Sequence, residues 1–215
     1  PLVSGTVAMG QTFNLHPDNP QERFIKEAVR ILRRGGVMVY PTDSCYALGC
    51  MIGNKEGMER IRLIRGVDGR HHFTLVCRDL SEIARYARVD NKQYRILKAA
   101  TPGAYTFILE ATREVPRRLQ HPKRNTIGLR VPDNNVVAML LEELGEPILS
   151  VTLQLPGDEY ALNDPDEIGE RLGNRVDVIL ESGFCSLTST TVIDLHVDPP
   201  ELLRTGAGDP EKIGF

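Results

Sequence analysis

The sequence has no surplus of positive charge: 26 Lys and Arg stand against 29 Asp and Glu, a formal net charge of −3 with a pI near 6.0. That excludes a protein that coats nucleic acid generally, which needs excess cations to displace counterions from phosphates. A local basic face is still allowed, because the arginines cluster. No apolar run approaches the roughly 18 residues of a membrane helix, and no basic start leads into an apolar stretch as a secretory signal would. The expected location is therefore the cytoplasm, with no membrane partner. Cysteine is scarce. Cys45, Cys50, Cys77 and Cys185 show neither CxxC nor His/Cys ligand spacing, so they read as reduced thiols of a cytosolic protein. Also missing are the GxxxxGK[ST] phosphate loop, GxGxxG, HExxH and the nucleophile elbow. No residue is assigned as a catalytic nucleophile or base, and none as a metal ligand. There is no internal repeat, no low-complexity tract and no linker rich in Pro, Gly or Ser. The 215 residues, 24.0 kDa, are expected to form one domain. Residues 1–8 (PLVSGTVA) read as an expression remnant before a native start at Met9, and 9–215 as the domain.

What is present is an alternation of helical and strand patterns. Asn19, Pro20 and Glu22 have the order of an N-cap, a first-turn proline and a capping-box acid, followed by Phe24, Ala28, Ile31 and Leu32 at helical spacing up to Gly35. VMVY (37–40) is a buried strand ending at the loop Pro41-Thr42-Asp43-Ser44. Helices are expected over 55–64, from Asp79 and Glu82, over 91–100 after Asp90, over 134–144 before Gly145, and over 164–172. Strands are expected at 73–77, 105–111, 126–131, 147–153, 176–180 and 190–195, with a short last one at 200–206. The fold class is α/β, a single-domain twisted mixed sheet with flanking helices. Segments 105–111 and 126–131 lack a full crossover helix between them, so they are expected to pair antiparallel. Ligands in such folds sit in loops beyond strand ends.

Hydroxyl and arginine positions gather near those ends: Thr42 and Ser44, Arg65, Thr126 and Arg130, Ser150 and Thr152, Thr190 and Thr191, and Arg204. Guanidinium forks and hydroxyls suit phosphates and carboxylates, which accept several hydrogen bonds at once. A second basic group, Arg117, Arg118, Lys123 and Arg124, lies between two strands.

The segment GGVMVYPTDSCYALGC (35–50) resembles the opening signature of the YrdC/YciO family. TPGAYTFIL (101–109), IGLRVP (127–132), STTVIDL (189–195) and LLRTGA (202–207) resemble its later segments in the same order. HPDNP (16–20) and FTLVCRDL (73–80) look closest to the YciO branch. The resemblance implies a YrdC-like twisted sheet with a positively charged concave surface. It also implies formation of threonylcarbamoyl-adenylate (threonylcarbamoyl-AMP) from L-threonine, bicarbonate and ATP with Mg²⁺, for tRNA modification. By position, Thr42 and Arg130 would hold the threonine, and Arg65, Thr126, Ser150, Thr190 and Arg204 the nucleotide. The alternative that the same face suggests is a module binding RNA, double-stranded in particular, without synthase activity.

Three segments depart from the enzymes of the family. Their Lys-x-Arg-Pro element reads Arg65-Gly66-Val67-Asp68 here, followed by a longer loop through Gly69, Arg70, His71 and His72. Arg for Lys keeps charge but changes shape, and Val67 removes a cation. A histidine after the strand is Cys77, and Ser-Ala-Asn is Ser150-Val151-Thr152. The changes fall on the nucleotide side, so weaker ATP binding and slow turnover are expected.

Overall fold

The computed structural model describes residues 10–67 and 72–215. The reading of residues 1–8 as a remnant, and the expected contributions of Asp68, Gly69, Arg70 and His71, lie outside the described residues. The first half of the chain runs β1 (Gln11–Asn14), α1 (Glu22–Arg33), β2 (Met38–Tyr40), β3 (Ala47–Met51), α2 (Lys55–Arg65), β4 (Thr74–Val76), α3 (Leu80–Tyr86), α4 (Asn91–Ala100) and β5 (Tyr105–Glu110). After a 3-10 turn at Arg117–Leu119 come β6 (Thr126–Arg130), α5 (Asn135–Leu144), β7 (Ile148–Thr152), α6 (Pro165–Leu172), β8 (Val178–Glu181), β9 (Thr191–Asp194) and β10 (Glu201–Arg204).

All ten strands join one sheet, in the order β1-β8-β2-β3-β7-β4-β6-β5-β9-β10. Four pairings are parallel and five antiparallel, so the sheet is mixed, and β5 and β6 are antiparallel neighbours as expected. Apart from α1, the helices start close to the positions expected from the sequence. Asp90 and Gln93 form a reciprocal capping box on α4, and Asn134 accepts the backbone N–H groups of Val136 and Val137 at the start of α5. Gly145, at a φ of 76°, closes α5 in the left-handed conformation that costs glycine least.

Two expectations fail locally. The helix α1 opens at Glu22 with Gln21 as its N-cap, and no side chain caps it. The Gln21 amide oxygen instead accepts the His16 backbone N–H at 3.1 Å, so neither Asn19 nor Glu22 forms the expected box. The strands β1 and β3 were not expected. β1 is almost wholly exposed and carries no apolar run, while β3 lies inside the signature that reads locally as loop.

Strand residues alternate between the two faces. One face, with Leu75, Phe107, Leu129, Leu149 and Ile193, packs with Met58, Ile61 and Ile64 of α2, Ile83 of α3, Leu97 of α4 and Ile168 of α6. On the other face, α1 (Ile25, Ala28, Leu32) and α5 (Val137, Leu140, Leu144) cover Met38, Tyr40, Val178, Ile148 and Val76. Each such fully buried leucine adds about 1.5–3 kcal/mol relative to exposure. This second helical layer reaches only part of the sheet.

Candidate functional site: an arginine-lined sheet face

Where α5 ends, the same face of the sheet continues into a cavity of about 360 Å³. Its floor is made by the outward set of alternate strand positions. Thr74 and Val76 come from β4, Thr106 and Ile108 from β5, Thr126, Gly128 and Arg130 from β6, and Ser150 and Thr152 from β7. The inward neighbours Leu75, Phe107, Ile127, Leu129 and Leu149 belong to the core below. The site is therefore a sheet surface, and the polar residues are in register across neighbouring strands. Thr74 pairs with Gly128 and with Ser150, and Ile108 with Gly128. The expectation of a loop site beyond strand ends is corrected on this point. The physical reason is that leaving one face of several strands without a helix exposes a whole concave patch of side chains.

Gly128 keeps the floor open. A Cβ there would lie 3.3 Å from Thr106 Cγ2 and 3.4 Å from Thr74 Oγ1, so any longer side chain would have to rise into the cavity.

Four arginines line the cavity, and among its described lining residues there is no carboxylate. Arg130 is buried. Its Nη1 donates to Ser44 Oγ at 3.1 Å and its Nη2 to Asp43 Oδ1, while its buried Nε has no partner among the described residues. Arg65 is the last residue of α2, which Gly66 ends at a φ of 66°. Its Nη1 donates to the Gln154 carbonyl at 3.0 Å, and its buried Nε also has no described partner. Burial pulls the Arg65 guanidinium below its ordinary range, though not out of the charged state. Arg204 donates from Nε and Nη2 to the Thr190 carbonyl, at 3.0 and 2.9 Å. Arg124 donates to the buried Asp194 at 2.7 Å. Among the described residues, two of the four cations thus face carboxylates, while Arg65 meets a carbonyl and Arg204 a carbonyl and the Thr190 hydroxyl. Fixed guanidinium groups of this kind suit an anionic ligand.

The hydroxyls are similarly held. Thr190 and Thr106 hydroxyls lie 2.7 Å apart, and Ser150 Oγ is 2.5 Å from the Tyr40 hydroxyl. Burial pushes the Cys45 thiol up, partly offset by Ser189 and by Arg130 and Arg204. It is a neutral wall residue at neutral pH.

Of the residues singled out in the sequence, Arg65, Thr126, Arg130, Ser150, Thr190 and Arg204 line this one cavity. Thr42 does not. It is buried, donates to the Cys45 carbonyl at 2.6 Å and accepts the Ser44 N–H at 3.0 Å. It folds the loop, and Ser44 two residues on stands in the wall. Asp43 is engaged on both oxygens, by Arg130 and by the Asp133 backbone N–H at 2.8 Å. Among the described residues there is no group of three or more His, Cys, Asp or Glu that could hold a metal ion. Read as sequence, Thr74, Thr106, Gly128 and Ser189 do not stand out, and Arg124 groups with Arg117, Arg118 and Lys123 between two strands. The period-two spacing Thr126-x-Gly128-x-Arg130 was the available signal.

Among the described residues no helix is long and apolar enough to cross a membrane. An open, arginine-lined face on a mixed α/β sheet has the chemistry that suits anions. The chain belongs to the Sua5/YciO/YrdC family, whose model, described as Telomere recombination, matches residues 30–206. It is similar to Uncharacterized protein YciO of Escherichia coli (strain K12), at 56% identity over 201 residues, covering 94% of this chain and 98% of that one. The crystal structure of E. coli YciO superposes with a TM-score of 0.91, at 55% identity, over 95% of this chain and all of that one. More distant relatives include a threonylcarbamoyl-AMP synthase of Laribacter hongkongensis, 36% identical over 127 residues, 59% of this chain and 68% of that one. P. abyssi Sua5 complexed with L-threonine shares the fold, with a TM-score of 0.82 at 23% identity over 91% of this chain and 57% of that one.

Proposed function

We propose that the cavity binds a nucleotide together with a small amino acid, and that the chain forms threonylcarbamoyl-AMP from L-threonine, bicarbonate and ATP, slowly. The observation that carries this reading is that Arg65 and Arg204, which meet no carboxylate among the described residues, stand with Arg130 over a floor of hydroxyls. The relatives that are threonylcarbamoyl-AMP synthases supply the reaction class, and the Sua5 complex makes L-threonine a reasonable amino acid. Arg130, steadied by Asp43, and Ser44 would take the amino-acid carboxylate. Arg65, Thr126, Ser150, Thr190 and Arg204 would take the nucleotide, and Thr42 would shape the loop between them.

The chemistry asks for such residues. The threonine amine and bicarbonate give a carbamate and water. A carbamate oxygen then attacks the α-phosphorus, the bond to the bridging oxygen breaks, and pyrophosphate leaves. No enzyme nucleophile is needed. Positioning and neutralisation of phosphate charge are. Mg²⁺ would arrive on the phosphates of ATP, as part of the substrate.

Incubation with ATP, Mg²⁺, bicarbonate and L-threonine, followed by mass spectrometry, tests the reading. Threonylcarbamoyl-AMP and pyrophosphate should appear together and only with all components present. If ATP and threonine both fail to bind in calorimetry, the reading is wrong. The RNA alternative predicts duplex RNA binding whose affinity falls steeply with salt, whereas ATP in a pocket should respond less.

A further inference from the structure

Beside the cavity lies a second groove, of about 790 Å³, into which the sequence places Arg62, Arg117, Arg118 and Lys123. The two spaces share four wall residues, His72, Phe73, Leu119 and His121. The two spaces therefore adjoin along these residues, of which the His72 and His121 rings stack 5.3 Å apart.

The groove is strongly cationic. No carboxylate is among its described lining residues. Arg62 is fixed from outside by Glu59 at 2.5 Å, and its guanidinium lies 5.4 Å from the Phe73 ring centroid. Its buried Nε has no partner among the described residues. Arg118 donates one bond, from Nη2 to the Ile52 carbonyl at 3.1 Å, which holds the charge in place without neutralising it. Arg117 and Lys123 are exposed and take part in no ion pair among the described residues. A compact run of phosphates carries two to four negative charges within a few ångströms, and it gains most where several fixed cations converge.

We propose that this groove receives condensed phosphate: the β- and γ-phosphates of a nucleoside triphosphate whose remaining part sits in the cavity, and the pyrophosphate left after reaction. The assignment rests on reading the cavity as the nucleotide site. Size supports it. About 360 Å³ lies near the lower end of the roughly 300–1,000 Å³ of small-molecule pockets, and the cavity must also hold an amino acid. Position supports it too, because the groove adjoins the cavity and offers Arg117, Arg118 and Lys123, which meet no carboxylate among the described residues, beside the Glu59-paired Arg62.

The test is calorimetry on the full chain with sodium pyrophosphate, Mg-ATP and AMP, comparing the parent with an Arg117→Ala, Lys123→Ala double variant. Both residues are on the surface, and circular dichroism checks that the fold is retained. Pyrophosphate and ATP should each bind about tenfold more weakly to the variant, with AMP within about twofold of the parent. Pyrophosphate and ATP both within about twofold of the parent would overturn the assignment. So would a duplex RNA that loses affinity in the variant while pyrophosphate does not, since the groove would then be a nucleic-acid surface. Pyrophosphate bound by the parent and lost in the variant supports the groove even if no threonylcarbamoyl-AMP is ever formed. That outcome separates this assignment from the proposed reaction.

Discussion

The Tyr40 hydroxyl and Ser150 Oγ lie 2.5 Å apart, and this contact ties the core beneath α1 and α5 to the wall of the cavity. Tyr40 is fully buried in that core. If the phenol donates, the serine keeps its own proton for an acceptor in the cavity. Burial pushes the Tyr40 phenol up to about 12 from 10.0, against the opposing effects of Ser150 and Arg130.

Tyr40→Phe is accordingly expected to lose about 0.5–1.5 kcal/mol, the usual net contribution of one hydrogen bond, in urea unfolding at pH 7. The pH dependence carries a second signature. Because the folded value is raised, the neutral phenol's contribution is fully present below pH 10 and is lost as the pH rises toward about 12. The parent should lose stability more steeply than Tyr40→Phe across that window. Parallel curves would show that Tyr40 is not the titrating group.

Arg130 and Asp43 form a pair with both side chains nearly buried. Removing one partner leaves the other's charge uncompensated, so Asp43→Ala should destabilise by about 3–5 kcal/mol. It also frees Arg130 from its steadying contact. Arg130→Ala should weaken L-threonine by about 1.5–3 kcal/mol, the range for hydrogen bonds to charged groups. Calorimetry on refolded, circular-dichroism-checked variants measures this, and unchanged threonine affinity would make Arg130 a structural residue.

Gly128→Val tests the floor without touching a polar group. Thr106 and Thr74 must yield by a few tenths of an ångström, an overpacking cost of about 1–3 kcal/mol. The two methyl groups enter the cavity. We expect a folded protein that no longer binds nucleotide, and retention of ATP binding would place the ligand elsewhere.

Val67→Arg restores a cation next to Arg65 and Gly66. Each charged hydrogen bond to phosphate adds about 1.5–3 kcal/mol, so ATP affinity should rise by about tenfold or more while threonine affinity stays level. A rise in threonine affinity alone would contradict the assignment of that segment to the phosphate side.

Much of this architecture was legible in the residues. The caps at Asp90, Asn134 and Asp164 mark helices within a residue or two, because a side-chain oxygen satisfying free N–H groups is a local interaction. The alternation Thr126-Ile127-Gly128-Leu129-Arg130 carries both the strand and its two faces. Legibility ended where local signals were weak: exposed β1 gains its ladder by parallel pairing with β8, Gln11 opposite Val178, far away in the chain.

What the sequence by itself determined is which residues could bind anions and which elements carry them, since periodicity, caps and residue chemistry act over a few positions. Tertiary structure decided the rest. It put β7 between β3 and β4, bringing Ser150 beside Thr74. It left the helix layer short of β6 and β5, so that Thr126 and Arg130 face a cavity and not a helix. It also turned Thr42 inward and Ser44 outward. The reason is physical. Whether a sheet face is covered depends on where helices distant in the chain come to pack, and that is settled by the burial of the whole core.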